Sequence, residues 1–161
     1  MAVEIERKFL VRNESFKLFS KGILYRQGYL NRDKHRTVRV RVAGELAFIT
    51  IKGITNGMER LEFEYPIPVN DAFEMLETIC LKPLIEKLRY NIMTDGHLWE
   101  VDEFIGDNGG LIIAEVELKS TEEEVIIPDW VGEEVTGDLK YYNSNLVIHP
   151  FKNWDQVIVL D

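Results

Sequence analysis

Apolar and charged residues alternate with a period of two in segment after segment of this chain. In residues 4–11, Glu4, Glu6 and Lys8 share one phase, and Ile5 and Phe9 the other, as on the two faces of a strand. A polar stretch, 13–21, follows, with Ser15 as a candidate helix N-cap. Residues 23–31, containing Arg26-Gln27-Gly28-Tyr29-Leu30, read as the second strand, and 31–34 as a charged turn. Residues 37–42 alternate Arg with Val, the strongest strand signal in the chain. After a turn at Gly44-Glu45, residues 46–54 set Thr50 and Lys52 against Ile49 and Ile51. Asn56-Gly57 carries a hairpin signal, and 58–66 set Glu62 and Glu64 against Leu61, Phe63 and Tyr65.

Pro66 and Pro68 end that strand, and the period then changes. Phe73, Leu76, Ile79 and Cys80 recur at helical spacing, so 69–81 is predicted to be an amphipathic helix. Strands resume over 84–93, with Lys87 and Arg89 in step. After Asp95-Gly96 they continue over 97–105, with Glu100 and Asp102 opposite Trp99 and Val101. Beyond a loop at 106–110, residues 111–120 set Glu115, Glu117 and Lys119 against Ala114, Val116 and Leu118. A short helix is expected to start at 122–124, irregular chain at 128–137, and a closing helix at 138–148 containing Lys140, Tyr141 and Tyr142.

Hairpin-linked strands make an antiparallel meander. For any one strand, a charged face is what a solvated edge would show. The in-phase set, however, is almost purely Glu, Asp, Lys and Arg in strand after strand. Convergence of these faces gives a barrel with a charged lumen, whose apolar outer faces need cover from helices or a partner chain. The predicted class is therefore α+β, mainly antiparallel β.

At 161 residues the chain suits one domain, 1–161. Hydrophobic residues make up 45% and charged residues 29%, as in ordinary globular proteins. No apolar run approaches the roughly 20 residues that cross a bilayer, so no membrane partner is expected. The charged N-terminus is not that of a signal peptide. Cys80 stands alone, which fits a reducing cytoplasm, and it reads as a buried thiol. A net charge of −9 argues against a nucleic-acid partner, though not against a small anion held by clustered cations. His35, His97 and His149 are scattered and form no ligand set, and Trp99, Trp130 and Trp154 read as packing anchors.

The in-phase charges have a chemical reading of their own. Arg39, Arg41, Lys52, Lys87 and Arg89, with Lys8 beside them, suit an oligophosphate. Glu4, Glu6, Glu115 and Glu117, with Glu62, Glu64 and Asp102 in support, suit a hard divalent cation. Cations for phosphates together with acids for Mg²⁺ or Mn²⁺ is the logic of phosphoryl transfer.

The same residues carry a family resemblance. Glu4-Ile5-Glu6-Arg7-Lys8 resembles the ExExK signature of the CYTH superfamily, the triphosphate tunnel metalloenzymes. Arg39-Val40-Arg41, Thr50-Ile51-Lys52, Glu62-Phe63-Glu64, Lys87-Leu88-Arg89 and Glu115-Val116-Glu117 follow in that family's order. The resemblance implies an eight-stranded antiparallel tunnel, closed or C-shaped, with a few flanking helices. It implies that Glu4, Glu6 and Glu117 ligate Mg²⁺ or Mn²⁺, with Glu115 as a further ligand. Lys8, Arg39, Arg41, Lys52, Lys87 and Arg89 would hold a triphosphate, and Lys140 stands where the family often carries Arg. Arg26-Gln27-Gly28-Tyr29-Leu30 is similar to the short bacterial triphosphatases of the family, which implies a Lys8–Tyr29 catalytic dyad with Lys87 as the next catalytic candidate. Hydrolysis of inorganic triphosphate is the expected activity. A class IV-like adenylyl cyclase, a thiamine or nucleoside triphosphatase and a non-enzymatic polyphosphate-binding module stay open, as does a monomer or a homodimer.

Overall fold

The computed structural model describes residues 2–154, so Met1 and 155–161 of the expected single domain lie outside the described residues. Its strands are β1 Val3–Val11, β2 Ile23–Tyr29, β3 Arg36–Ala43, β4 Leu46–Gly53, β5 Glu59–Pro66, β6 Ile85–Thr94, β7 His97–Phe104, β8 Ile112–Glu117 and β9 Val131–Glu134. Helix α1, Val69–Thr78, follows β5, and α2, Asn143–Ile148, follows β9. All pairings are antiparallel, in the order β5-β4-β3-β2-β6-β7-β8-β1-β9. A further pairing of β5 with β1, at Val3–Leu61, Glu4–Arg60 and Ile5–Glu59, closes the first eight strands into a barrel. One edge of β1 takes β8. The other is shared by β5 along its first residues and β9 along its last.

The period of two decides which side chains line the inside. Arg39 and Arg41 point inward, so Val40 and Val42 point outward, where α1 packs Ala72 and Leu76 on them. On the far side, Phe9, Trp99, Val101 and Val116 form an outer layer capped by Phe16 and Trp130. The Trp99 and Trp130 rings meet edge to face at 5.7 Å, so both are packing anchors. The β4–β5 outer face stays uncovered, with Leu61, Phe63 and Tyr65 exposed. Asp95 and Gly96 both have positive φ, 48° and 79°, as a two-residue type I′ hairpin requires.

Four expectations are corrected. Residues 128–137 are not all irregular. They contain β9, where Gly132 lies so close to β1 that a Cβ would meet the Leu10 carbonyl oxygen at 3.3 Å. Four residues with a glycine among them carry too little alternation to read as a strand. Residues 138–148 are not one helix. A 3-10 turn, Leu139–Tyr141, ends at an extended Tyr142 (ψ 133°) before α2 begins. Residues 122–124 start no helix. The Glu123 carboxylate instead accepts from the Lys119 backbone N–H at 2.7 Å and meets His97 Nε2 at 2.5 Å. Ser15 is the first residue of a 3-10 helix rather than its cap, and its N–H is taken by Asn13 Oδ1 at 3.0 Å.

Candidate active site

The inward faces enclose a cavity of about 210 Å³. Lys8, Arg39, Arg41, Lys52, Arg60, Lys87 and Arg89 line it together with Glu4, Glu6, Glu62, Glu64, Glu100, Glu115 and Glu117. Strand register makes these side chains neighbours. Glu4 stands opposite Arg60, Glu6 opposite Glu117, Lys8 opposite Glu115 and Lys52 opposite Glu62. A chain of net charge −9 thus keeps an equal number of cationic and acidic side chains on its lumen wall.

The cations are unequally neutralised. Arg89 binds Asp102 through Nε at 2.7 Å and Nη2 at 2.9 Å, and Glu100 through Nη1 at 2.9 Å. Lys87 Nζ lies 2.8 Å from Asp102 Oδ2. Burial alone would raise the Asp102 carboxyl, but Arg89 and then Lys87 hold it far below the usual carboxylate range. Burial pushes the Lys87 ammonium down to about 8, with Asp102 opposing the shift and Arg89 adding to it. Among the described residues the acidic partner of Arg39 and Arg41 is Glu64, at 4.0 and 3.5 Å. Their Nε atoms and that of Arg60 are buried without a hydrogen-bond partner among the described residues. Burial, then Arg39 and Arg89, push the Arg41 guanidinium below its ordinary value, so cations crowd one another here. The Tyr25 ring lies beneath Arg89 at 4.7 Å and Arg41 at 5.1 Å.

The acids crowd in two pairs, Glu6 with Glu115 and Glu4 with Glu62. Burial, then Glu115 and Glu4, raise Glu6 well above the carboxylate range, and Glu6 is hydrogen-bonded to Glu115. Glu115 stays low in spite of its burial because Lys8 faces it. Burial and a hydrogen bond with Glu4 bring Glu62 up to about 7. Burial would raise Glu4 too, but Lys52, at 3.2 Å, holds it at about 2. Glu117 is raised by burial and then by Glu4 and Glu100. Carboxylates crowded together are hard oxygen donors whose mutual repulsion a divalent cation would relieve by displacing protons, so the donor set fits Mg²⁺ or Mn²⁺. Among the described residues no three such groups converge into a preassembled cage.

A model of the CYTH domain matches residues 2–148 of this chain. The chain belongs to the CYTH family. It is 53% identical over 156 residues to an inorganic triphosphatase of Acetivibrio thermocellus, covering 97% of this chain and all of that one. It is 39% identical over 153 residues to an inorganic triphosphatase of Nitrosomonas europaea, covering 90% of this chain and 97% of that one. A crystal structure of an inorganic triphosphatase superposes with a TM-score of 0.64 at 37% identity, covering 89% of this chain and 97% of the other.

In this CYTH chain the lumen gathers Glu4, Glu6, Lys8, Tyr29, Arg39, Arg41, Lys52, Glu62, Glu64, Lys87, Arg89, Glu115 and Glu117 from the sequence reading. Asp102 lies just behind the wall, under Lys87 and Arg89. Lys140 does not join the site. Its ammonium stands over the Trp154 ring at 4.8 Å and the Tyr141 ring at 5.2 Å, because the 3-10 turn directs it outward. Tyr29 and Lys8 share the cavity, but no hydrogen bond joins them among the described residues. Lys8 Nζ stands 4.7 Å over the Tyr142 ring and 4.0 Å from Glu115. The sequence reading passed over Arg60, although it is in phase with Glu62 and Glu64, and it set Glu100 in step with Asp102 without giving it a role in the site. Tyr142, Asn143 and Ser144 also reach the lumen, and nothing in their local pattern signals it.

Proposed function

We propose that this CYTH protein is a metal-dependent triphosphatase that hydrolyses inorganic triphosphate to diphosphate and phosphate inside the barrel. The observation that carries this reading is the cluster of Arg39, Arg41 and Arg60 on the wall of a cavity of about 210 Å³, each with a buried Nε that has no hydrogen-bond partner among the described residues. Buried donors left unsatisfied are costly, and the oxygens of an oligophosphate would satisfy them. The inorganic triphosphatase relatives support the same reading.

In this reading Arg39, Arg41, Arg60 and Lys52 grip the phosphate oxygens, while Arg89 and Lys87 are held toward the anion by Asp102. Glu4, Glu6, Glu115 and Glu117 would hold Mg²⁺ or Mn²⁺, which when bound neutralises phosphate charge and draws electrons toward the leaving diphosphate. Lys8 and Tyr29 orient the terminal phosphate and the attacking water. The water oxygen bonds to the terminal phosphorus as the phosphoanhydride bond breaks, and diphosphate leaves.

A second reading has its own observation. A chamber of about 400 Å³, lined by Ile54, Leu139 and Tyr142 among others, shares Thr37, Arg60, Tyr142 and Ser144 with the lumen. It offers room for an organic substituent, which favours ATP or thiamine triphosphate as a further substrate. One assay separates these readings. Tripolyphosphate, ATP and thiamine triphosphate are each incubated with the protein and Mg²⁺ or Mn²⁺, and the products are identified. Diphosphate plus phosphate from tripolyphosphate is expected. Cyclic nucleotide from ATP would favour a cyclase, and no turnover of any substrate would leave only a binding module.

A further inference from the structure

We infer that Asn143, itself oriented by Gln27, is a positioning residue that fixes Lys87 against the bound triphosphate; the inference rests on the triphosphatase reading above. An ammonium has three N–H donors. Lys87 Nζ gives one to Asp102 Oδ2 at 2.8 Å and one to Asn143 Oδ1 at 2.9 Å. Lys87 borders the lumen, so one donor remains for an anion there. Asp102 and Asn143 act as two legs of a tripod whose third leg is the substrate.

Gln27 decides how Asn143 faces. Its side chain is fully buried, and Nε2 donates to the same Asn143 Oδ1 at 2.9 Å. Two donors converging on one oxygen fix the amide orientation, because a flipped Asn143 would set its own N–H groups against both. Gln27 Oε1 meanwhile is buried with no partner among the described residues. A buried amide pair left partly unsatisfied stabilises a fold poorly. What it provides is a fixed direction for Lys87. The network joins β2, β6 and the first residue of α2.

The test uses steady-state tripolyphosphate hydrolysis with Mg²⁺ by the full chain, with melting temperature as a folding control. Asn143→Leu keeps the branched skeleton but removes the acceptor, and kcat is expected to fall roughly 10- to 100-fold, the loss of one hydrogen bond to a charged group. Asn143→Asp keeps both acceptor contacts and is expected to recover most of kcat, with KM raised by its negative charge. In a Lys87→Ala background Asn143→Leu should cost less than about twofold more, since the residue acts through Lys87. The ¹⁵N–¹H signal of the Lys87 ammonium, assigned by its loss in Lys87→Ala, should move in Asn143→Leu. If Asn143→Leu melts below the assay temperature, Gln27→Met is read in its place, with a several-fold fall in kcat expected. Wild-type kcat in a folded Asn143→Leu, or an equal loss in the Lys87→Ala background, overturns the inference alone. Absence of wild-type turnover overturns the triphosphatase reading, and the inference with it.

Discussion

Asp102→Asn tests how the lumen is held together. The carboxylate is 1% exposed and receives three charge-assisted bonds, two from Arg89 at 2.7 and 2.9 Å and one from Lys87 at 2.8 Å. An asparagine of the same shape keeps one acceptor oxygen and turns an N–H₂ group toward cations that are themselves donors. Two buried cations then share a neutral partner, although Arg89 keeps Glu100. Removing one partner of a buried ion pair costs about 3–5 kcal/mol, and full burial of this acid leaves little solvent screening to reduce that figure. In a chain of this size about 1 kcal/mol moves Tm by roughly 2–4 °C, so a fall of about 6–20 °C is expected. The variant also raises the positive charge of the lumen, so tripolyphosphate should stabilise it by more degrees than it stabilises the wild type. Thermal melts followed by circular dichroism, with and without tripolyphosphate, measure both effects. A Tm within about 2 °C of wild type would refute the claim that Asp102 neutralises Lys87 and Arg89.

Other expectations follow from single contacts. Arg41→Ala removes a guanidinium whose Nε has no hydrogen-bond partner among the described residues, and KM for tripolyphosphate should rise about tenfold or more with a smaller effect on kcat; an unchanged KM would place the anion elsewhere. Glu6→Gln leaves the side-chain size unchanged at an acid whose carboxyl is raised by burial, Glu115 and Glu4, and should abolish most Mg²⁺-dependent turnover while the protein stays folded; full turnover at modest Mg²⁺ would remove Glu6 from the ligand set. Tyr29→Phe should lower kcat by about 10²-fold at nearly constant KM, and wild-type kcat would show the hydroxyl to be idle. In metal-free protein, Glu62 titrates at about 7 against 4.5 for an ordinary glutamate, so its protonated form favours the folded state. That contribution is complete below about pH 4.5 and lost as pH rises through about 7. Melts in EDTA between these values should show Glu62→Gln losing less stability with rising pH than the wild type; parallel curves would refute the Glu4–Glu62 proton.

The barrel was legible because strand phase admits two answers and hairpins lock neighbours together. Once Arg39 and Arg41 face inward, Val40 and Val42 must face α1, and the register carries the rest of the inner wall with them. Arg60 obeyed the same rule and was overlooked only because the in-phase set on β5 looked purely acidic. Residues beyond Glu117 were harder. Lys140 was placed near the phosphates because it stands where the family often carries Arg, whereas Asp138 caps a 3-10 turn by accepting the Lys140 backbone N–H at 3.3 Å, and the ammonium lies over the Trp154 ring instead. Tyr142, Asn143 and Ser144 reach the lumen because the chain is extended at Tyr142 before α2 begins. Tertiary packing sets that path, and local periodicity does not encode it. The charge balance among Asp102, Arg89 and Lys87 also depends on cross-strand neighbours more than ten residues apart.

The seam of the barrel bears on how the protein is made. β1 is synthesised before the other eight described strands, yet its partners are β5, β8 and β9. The Arg7–Glu134 ion pair and the bond from the Lys8 N–H to Thr136 Oγ1 span 127 and 128 residues. Contacts of such long range form late, because the loop between them must be closed before they return any free energy. Hairpins β3–β4 and β6–β7 can form while synthesis continues, but Glu6 and Lys8 have to wait for Glu117 and Glu115 on β8. A nascent chain therefore carries most of its lumen charges open to solvent until the last strands arrive. A fragment ending before β8 would hold arginines and lysines of the phosphate grip without the acids that complete the site.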